Sequence, residues 1–199
     1  MIDTPFRRIL DHTSPMIVKV YSRLGLRPNH ITACALLTAA ASAVACAAGY
    51  TWLTLGLWWA SRWLDGTDGI YARGTGQQTD FGAYLDIIGD MAAYSMMILG
   101  FMYRRPDLPW SWLGIVFLYV LCISSALALG ALSDKRGLTS QDNRGLRLGA
   151  GLAEGGETGI AYTLFLLLPQ YLGPLTSIWL VILATTVIAR TLLARNLLR

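Results

Sequence analysis

The apolar residues of this chain fall in long blocks separated by short polar breaks, without the alternation of amphipathic strands. A bilayer-spanning helix takes about 20 residues, and six blocks of that size are read along the chain: roughly 31–50, 51–73, 80–102, 109–132, 152–170 and 174–195. The second, beginning TWLTLGLWWASRWL, loses hydropathy in its last third, where polar residues enter. Ahead of the first block, residues 5–24 interleave Phe6, Ile9, Leu10, Met16, Ile17, Val20 and Tyr21 with Arg7, Arg8, Lys19 and Arg23. That pattern predicts an amphipathic helix lying in the membrane surface. Pro28 then stops that helix, and Asn29 or Thr32 is expected to cap the next one. The expectation is therefore an all-α, polytopic membrane protein: one domain over 1–199, with a juxtamembrane segment at 1–30 and a six-helix core at 31–199.

Composition agrees. Of 199 residues, 54% are hydrophobic and 14% charged, with mean hydropathy +0.48, where soluble domains are nearer a quarter charged. The short alternating segments of a β-barrel are absent. Cys34, Cys46 and Cys122 are widely spaced in apolar surroundings and read as small packing residues, not as a disulfide or zinc framework. His12 and His30 read as isolated surface residues, and no cleavable signal is expected at the start of the chain. Basic residues gather on one side of the six-span layout: Arg7, Arg8, Lys19, Arg23 and Arg27 before the first span, Arg73 after the second, Lys135, Arg136, Arg144 and Arg147 between the fourth and fifth, and Arg195 and Arg199 at the end. The other side carries Arg104 and Arg105, with Trp110 and Trp112 expected at its interface. The predicted orientation puts both termini and the loop between spans two and three in the cytoplasm. In a bacterium that means the inner membrane.

Charge also appears where lipid should exclude it. The stretch DGTDGIYARGTGQQTDFGAYLDIIGD, residues 65–90, holds five aspartates. Asp65, Asp68, Gly69, Ala72 and Arg73 share one broad helical face, and Gly82, Asp86 and Asp90 form a stripe on the next helix. A short polar hinge, GTGQQTDF, makes the two helices antiparallel neighbours whose acidic faces meet. At 1.5 Å per residue, Asp65 stands about 12 Å above Arg73 and Asp90 about 15 Å above Asp80, inside the membrane toward its cytoplasmic side. Each such aspartate costs around 3 kcal/mol on insertion scales. Arg73 alone is too little to neutralise them, and an oxygen-only donor set selects Mg²⁺ or Mn²⁺ over zinc. Asp80 is read separately, as an N-cap or first-turn anion.

The spacing Asp-x₂-Asp-Gly-x₂-Ala-Arg-x₈-Gly-x₃-Asp-x₃-Asp resembles the signature of the CDP-alcohol phosphotransferase family, and every fixed position is filled, by Asp65, Asp68, Gly69, Ala72, Arg73, Gly82, Asp86 and Asp90. At average residue usage eight such matches arise by chance about once in 10¹⁰ placements. The resemblance implies that Asp65, Asp68 and Asp86 hold two Mg²⁺ or Mn²⁺ ions per active site and that Asp90 is the general base. Arg73 and Asp68 then belong to the CDP site, with Gly69, Ala72 and Gly82 making room for the cytidine. Asn29 and Thr32, in PNHIT, match a looser family segment near the nucleotide phosphates, although helix capping explains them equally well. The implied reaction is attack of an alcohol on CDP-diacylglycerol with release of CMP, by a homodimer in the bilayer, with no nucleic-acid partner. A CDP-linked polar alcohol as donor to diacylglycerol is the alternative within the family. Outside it stand a proton-coupled transporter, which would bring repeats and interrupted helices, an aspartate-rich prenyltransferase, and a silent scaffold.

The acceptor is read from two clusters that point in different directions. Lys135, Arg136, Arg144 and Arg147 suit a phosphorylated alcohol, or are simply cytoplasmic topology residues. Glu154 and Glu157 suit an amine or sugar hydroxyls, or stabilise a helix N-terminus.

Overall fold

A computed structural model describes residues 15–137 and 155–199, and these form helices joined by turns and short irregular connections, with no strand among them. Residues 15–23 form α1, followed by α2 (Pro28–Ala47), α3 (Thr51–Thr75), α4 (Asp80–Arg104), α5 (Pro109–Lys135), α6 (Gly155–Leu167), a short 3₁₀ turn (Pro169–Tyr171) and α7 (Leu172–Leu197). Four stretches among the described residues are long and apolar enough to cross a membrane: Pro28–Ala47, Asp80–Arg104, Pro109–Lys135 and Pro169–Leu197. The described parts of the other two predicted spans are also mainly helical. α3 is long enough at 25 residues but carries Arg62, Asp65, Asp68 and Arg73, and α6 is described for 13 residues.

Local sequence explains the boundaries. Pro28 occupies the first turn of α2, where its missing N–H is not needed. The N-cap is Arg27, whose backbone N–H donates to His30 Nδ1 at 3.4 Å. Neither Asn29 nor Thr32 is the cap, contrary to the sequence expectation: the helix begins earlier, so both lie inside it. α3 runs on through Gly74 and Thr75 and ends at Gly76, whose φ of 66° is the left-handed C-cap conformation that glycine adopts without penalty. The hinge therefore shrinks from the predicted eight residues to residues 76–79. Thr79 caps α4 by accepting from the Gly82 N–H at 3.0 Å, which leaves Asp80 as a first-turn anion.

The helices pack in two groups. α2 lies against both α3 and α4, α5 lies against α7, and α6 meets α3. At one point α2 and α4 approach so closely that a Cβ on Gly100 would stand 2.6 Å from the Ala43 carbonyl oxygen. An aromatic core joins the groups: Phe101 stacks on Trp112 at 5.6 Å, and Tyr162 lies 5.1 Å from Trp58. Tyr162 and Tyr119 share a hydrogen bond of 3.0 Å, and Trp179 Nε1 donates to Tyr119 Oη at 3.1 Å. Trp112 is thus a core residue, its indole N–H donating to the Arg105 carbonyl, and of these two tryptophans Trp110 alone is exposed as an interfacial one would be. Cys46 is buried as expected, but Cys34 faces outward.

α1 docks on the hinge end of α3. Tyr21 Oη and Thr67 Oγ1 are 3.0 Å apart, Tyr21 packs edge-on to Tyr71, and Tyr71 Oη donates to the Leu26 carbonyl. Val18 sits where a side chain on Gly74 would be. Met16, Val20 and Leu24 remain exposed.

Candidate active site

The acidic face of α3 and the acidic stripe of α4 come together, but not by close packing of their backbones. Both helices pack on α2, and they engage each other chiefly through side chains. The sequence expectation of direct antiparallel neighbours is corrected to that extent. The reason is that α2 offers a small-residue surface (Ala35, Ala39, Ala43) on which both can lie, while facing aspartates repel.

Asp68 is 5% exposed. It accepts the Thr32 hydroxyl, a contact that ties α2 to α3. Thr32 Oγ1 also lies 3.3 Å from the Pro28 carbonyl, but the hydroxyl has one proton and the carboxylate is the nearer, charged acceptor. Asp65 and Asp90 are partly buried, at 19% and 30% side-chain exposure. Between them stands Arg62, itself 7% exposed. Its Nη1 donates to Asp90 Oδ1 at 2.5 Å and lies 3.5 Å from Asp65 Oδ2. Asp86 is more open and stands within electrostatic range of Asp90, Asp68, Arg62 and Arg73.

Arg62 was not among the residues singled out from the sequence, which counted Arg73 as the cation available to the cluster. A visible signal existed: Arg62 precedes Asp65 by three residues and so shares its helical face. Its place in the apolar run ASRWL disguised it as part of a lipid-facing segment.

The glycines and Arg73 line the hinge end. A Cβ on Gly69 would stand 3.2 Å from an Arg73 guanidinium nitrogen, so Arg73 folds back along α3 over Gly69. A Cβ on Gly82 would meet Thr79 Oγ1 at 3.1 Å and Asn29 Oδ1 at 3.4 Å, so Asn29 leans over the start of α4. A cleft of about 470 Å³ opens there, lined by Arg27, Pro28, Asn29, Gln77 and Thr79. Ala72 is half-buried on the same turn of α3 as Arg73. Among the residues expected at the acceptor site, Arg144, Arg147 and Glu154 lie outside the described residues. Glu157 is half-buried in the first turn of α6. The same turn reaches the site's floor, because a Cβ on Gly155 would touch Tyr94 Oη at 3.2 Å.

The donor chemistry fits a hard divalent cation: four carboxylates from two helices, with the guanidiniums of Arg62 and Arg73 to balance them among the described residues. Yet no three His, Cys, Asp or Glu side chains among the described residues are gathered as a ligand set. Arg62 takes Asp65 and Asp90 into its own contacts, and Thr32 takes Asp68.

The profile of the CDP-alcohol phosphatidyltransferase family matches residues 26–191. The Inner membrane protein YnjF of Escherichia coli (strain K12) is 32% identical over 163 residues, covering 77% of this chain and 76% of its own. Phosphatidylinositol phosphate synthase (PgsA1) of Mycobacterium tuberculosis, crystallised with CDP-DAG bound, has the same fold, with TM-score 0.66, 20% identity and 92% of each chain covered. The same enzyme in complex with manganese and citrate gives TM-score 0.65, 22% identity, and coverage of 92% of this chain and 88% of that one. With its motif complete and its profile match spanning most of its length, this chain is an integral membrane phosphotransferase of the CDP-alcohol phosphatidyltransferase family.

Proposed function

We propose that this protein transfers a phosphatidyl group from CDP-diacylglycerol to a small alcohol, releasing CMP. The observation that carries this reading is the convergence of Asp65, Asp68, Asp86 and Asp90 from α3 and α4 beside a cleft lined by Asn29 and Thr79. The CDP-DAG bound to the mycobacterial enzyme of the same fold supports the donor, and its manganese complex supports a divalent cation. In this reading Asp65, Asp68 and Asp86 hold two Mg²⁺ or Mn²⁺ ions. Such a pair of cations supplies charge stabilisation to the attacking and leaving oxygens of a phosphoryl transfer.

The chain's own residues do the rest. Arg73, folded over Gly69, binds the diphosphate, and Gly69, Ala72 and Gly82 leave room for the cytidine. Asn29, above Gly82, and Thr32, on Asp68, border the nucleotide. Asp90 takes the proton of the acceptor hydroxyl at a carboxylate oxygen. The acceptor stands near the start of α6, where Glu157 lies; Glu154, Arg144 and Arg147 remain acceptor candidates on the sequence alone. In the membrane α3 and α6 join the four apolar helices as a single six-span catalytic unit. α1 lies in the cytoplasmic interface with Met16, Val20 and Leu24 toward lipid, and the termini and cleft mouth are cytoplasmic. The assembly is a homodimer.

The test is CMP formation by detergent-solubilised protein supplied with labelled CDP-diacylglycerol and a panel of alcohols, with and without Mg²⁺ or Mn²⁺. A parallel arm offers CDP-choline with diacylglycerol. Cation-dependent CMP release in the first arm supports the reading, and release only in the second reverses donor and acceptor. No CMP from any CDP-alcohol overturns the proposed donor and acceptor.

A further inference from the structure

A permanently charged side chain inside a membrane helix is retained only where fixed partners compensate it. Arg62 has such partners at both terminal nitrogens and against two aromatic rings, while its buried Nε has no hydrogen-bond partner among the described residues. Trp58 and Tyr94 lie against its guanidinium, with ring centroids 4.9 and 5.4 Å away. Nη2 donates to Ser61 Oγ at 3.0 Å, and Ser61 passes its own proton to the Ala35 carbonyl at 2.9 Å. Nη1 is left to Asp90 and, more distantly, to Asp65. It forms no ion pair with Asp68 or Asp86 among the described contacts. A planar guanidinium clamped between rings cannot swing aside as a surface arginine does.

We infer that Arg62 is a positioning residue that separates the roles of Asp86 and Asp90: it holds Asp90 out of the metal-ligand set. The four groups are chemically identical, and Asp86 and Asp90 are one turn apart on one stripe. Spacing alone does not say which of them binds cation. A carboxylate oxygen already bonded to a guanidinium has fewer lone pairs for a cation, and the fixed positive charge repels a dication placed beside it. Asp90 carries that burden through a direct hydrogen bond, Asp65 stands farther off at 3.5 Å, and Asp86 makes no ion pair with Arg62 among the described contacts. This inference rests on the two-cation reading above.

The test needs no turnover. Mn²⁺ binding to the substrate-free protein, followed by electron paramagnetic resonance, is measured in wild type, D90N, R62Q and the double variant. In wild type, Asp90→Asn leaves Mn²⁺ affinity unchanged. Arg62→Gln tightens Mn²⁺ about tenfold, and adding Asp90→Asn reverses the gain, a coupling of the size found between contacting residues. An equal loss of affinity from Asp90→Asn with and without Arg62 overturns the inference, because Asp90 is then a ligand that Arg62 does not control. No Mn²⁺ binding in any variant overturns the two-cation reading itself, and this inference with it. Arg62→Lys guards against misfolding of the glutamine variant. It keeps the charge but not the clamped fork, so donor KM holds while kcat falls at least about tenfold. Unchanged kcat in a folded R62K protein removes the positioning role.

Discussion

Thr32 of α2 donates its hydroxyl proton to Asp68 of α3, so a helix outside the acidic motif holds one of the motif's carboxylates. The contact is buried on the carboxylate side, where Asp68 is 5% exposed. Hydrogen bonds to charged groups are worth about 1.5–3 kcal/mol. Thr32→Val should therefore lower kcat/KM for CDP-diacylglycerol roughly ten- to a hundredfold, and Thr32→Ser should recover most of it. Donor titrations on the two variants check this. Loss in Thr32→Ser with Thr32→Val near wild type would instead assign Thr32 a packing role through its methyl group.

Removing divalent cations should stop the reaction. Excess chelator is expected to abolish CMP release and added Mg²⁺ or Mn²⁺ to restore it, because oxygen-only donors bind these ions and not softer ones. Asp86→Asn should weaken Mn²⁺ binding in a titration of the purified protein. Full activity in chelator would sink the proposal of a cation-assisted transfer, and unchanged binding by the Asp86 variant would take that residue out of the ligand set.

Asp90→Asn should separate turnover from binding. Loss of a general base costs about 10²–10⁴-fold in rate, while the donor contacts assigned to Arg73 and Asn29 stay in place. The expected result is a collapse of kcat with CDP-diacylglycerol affinity retained. Lost affinity with normal kcat at saturation would make Asp90 a binding residue.

The acceptor pocket is tested by four variants. For a phosphorylated acceptor, Arg144→Ala or Arg147→Ala should raise acceptor KM roughly ten- to a hundredfold and leave donor KM alone. For an amine or polyol, Glu154→Gln or Glu157→Gln should do so instead. Wild-type acceptor KM in all four would move the pocket elsewhere and leave the basic loop a topology signal.

Gly100 gives a stability test remote from the chemistry. An added Cβ would stand 2.6 Å from the Ala43 carbonyl oxygen and 3.2 Å from Cys46 Cβ. α2 and α4 must part to admit it, and overpacking of this kind costs about 1–3 kcal/mol. Gly100→Ala should lower the melting temperature of the detergent-solubilised protein, whereas Gly56→Ala, where a Cβ meets nothing within 4 Å, should not. Because α2 carries Thr32 and α4 carries Asp90, the Gly100 variant should also lose activity.

The sequence by itself determined the helical class, the starts of α3, α4 and α5 and the set of motif residues. Lipid demands long apolar runs, Pro and Gly punctuate them, and spacings of three and four place side chains on a common face within one helix. Asp65 with Asp68, and Asp86 with Asp90, were legible for that reason. Only the tertiary structure decided what crosses between helices. Arg62 and Asp90 are 28 residues apart, and their meeting depends on how α3 and α4 are rotated on α2. Thr32 reaches Asp68 and not a helix end because α2 starts at Pro28. Trp112 turns inward onto Phe101 while Trp110, two residues away, stays outside. Periodicity relates positions along one helix; the azimuth of each helix relative to the others is set by which surfaces fit, and no local pattern encodes it.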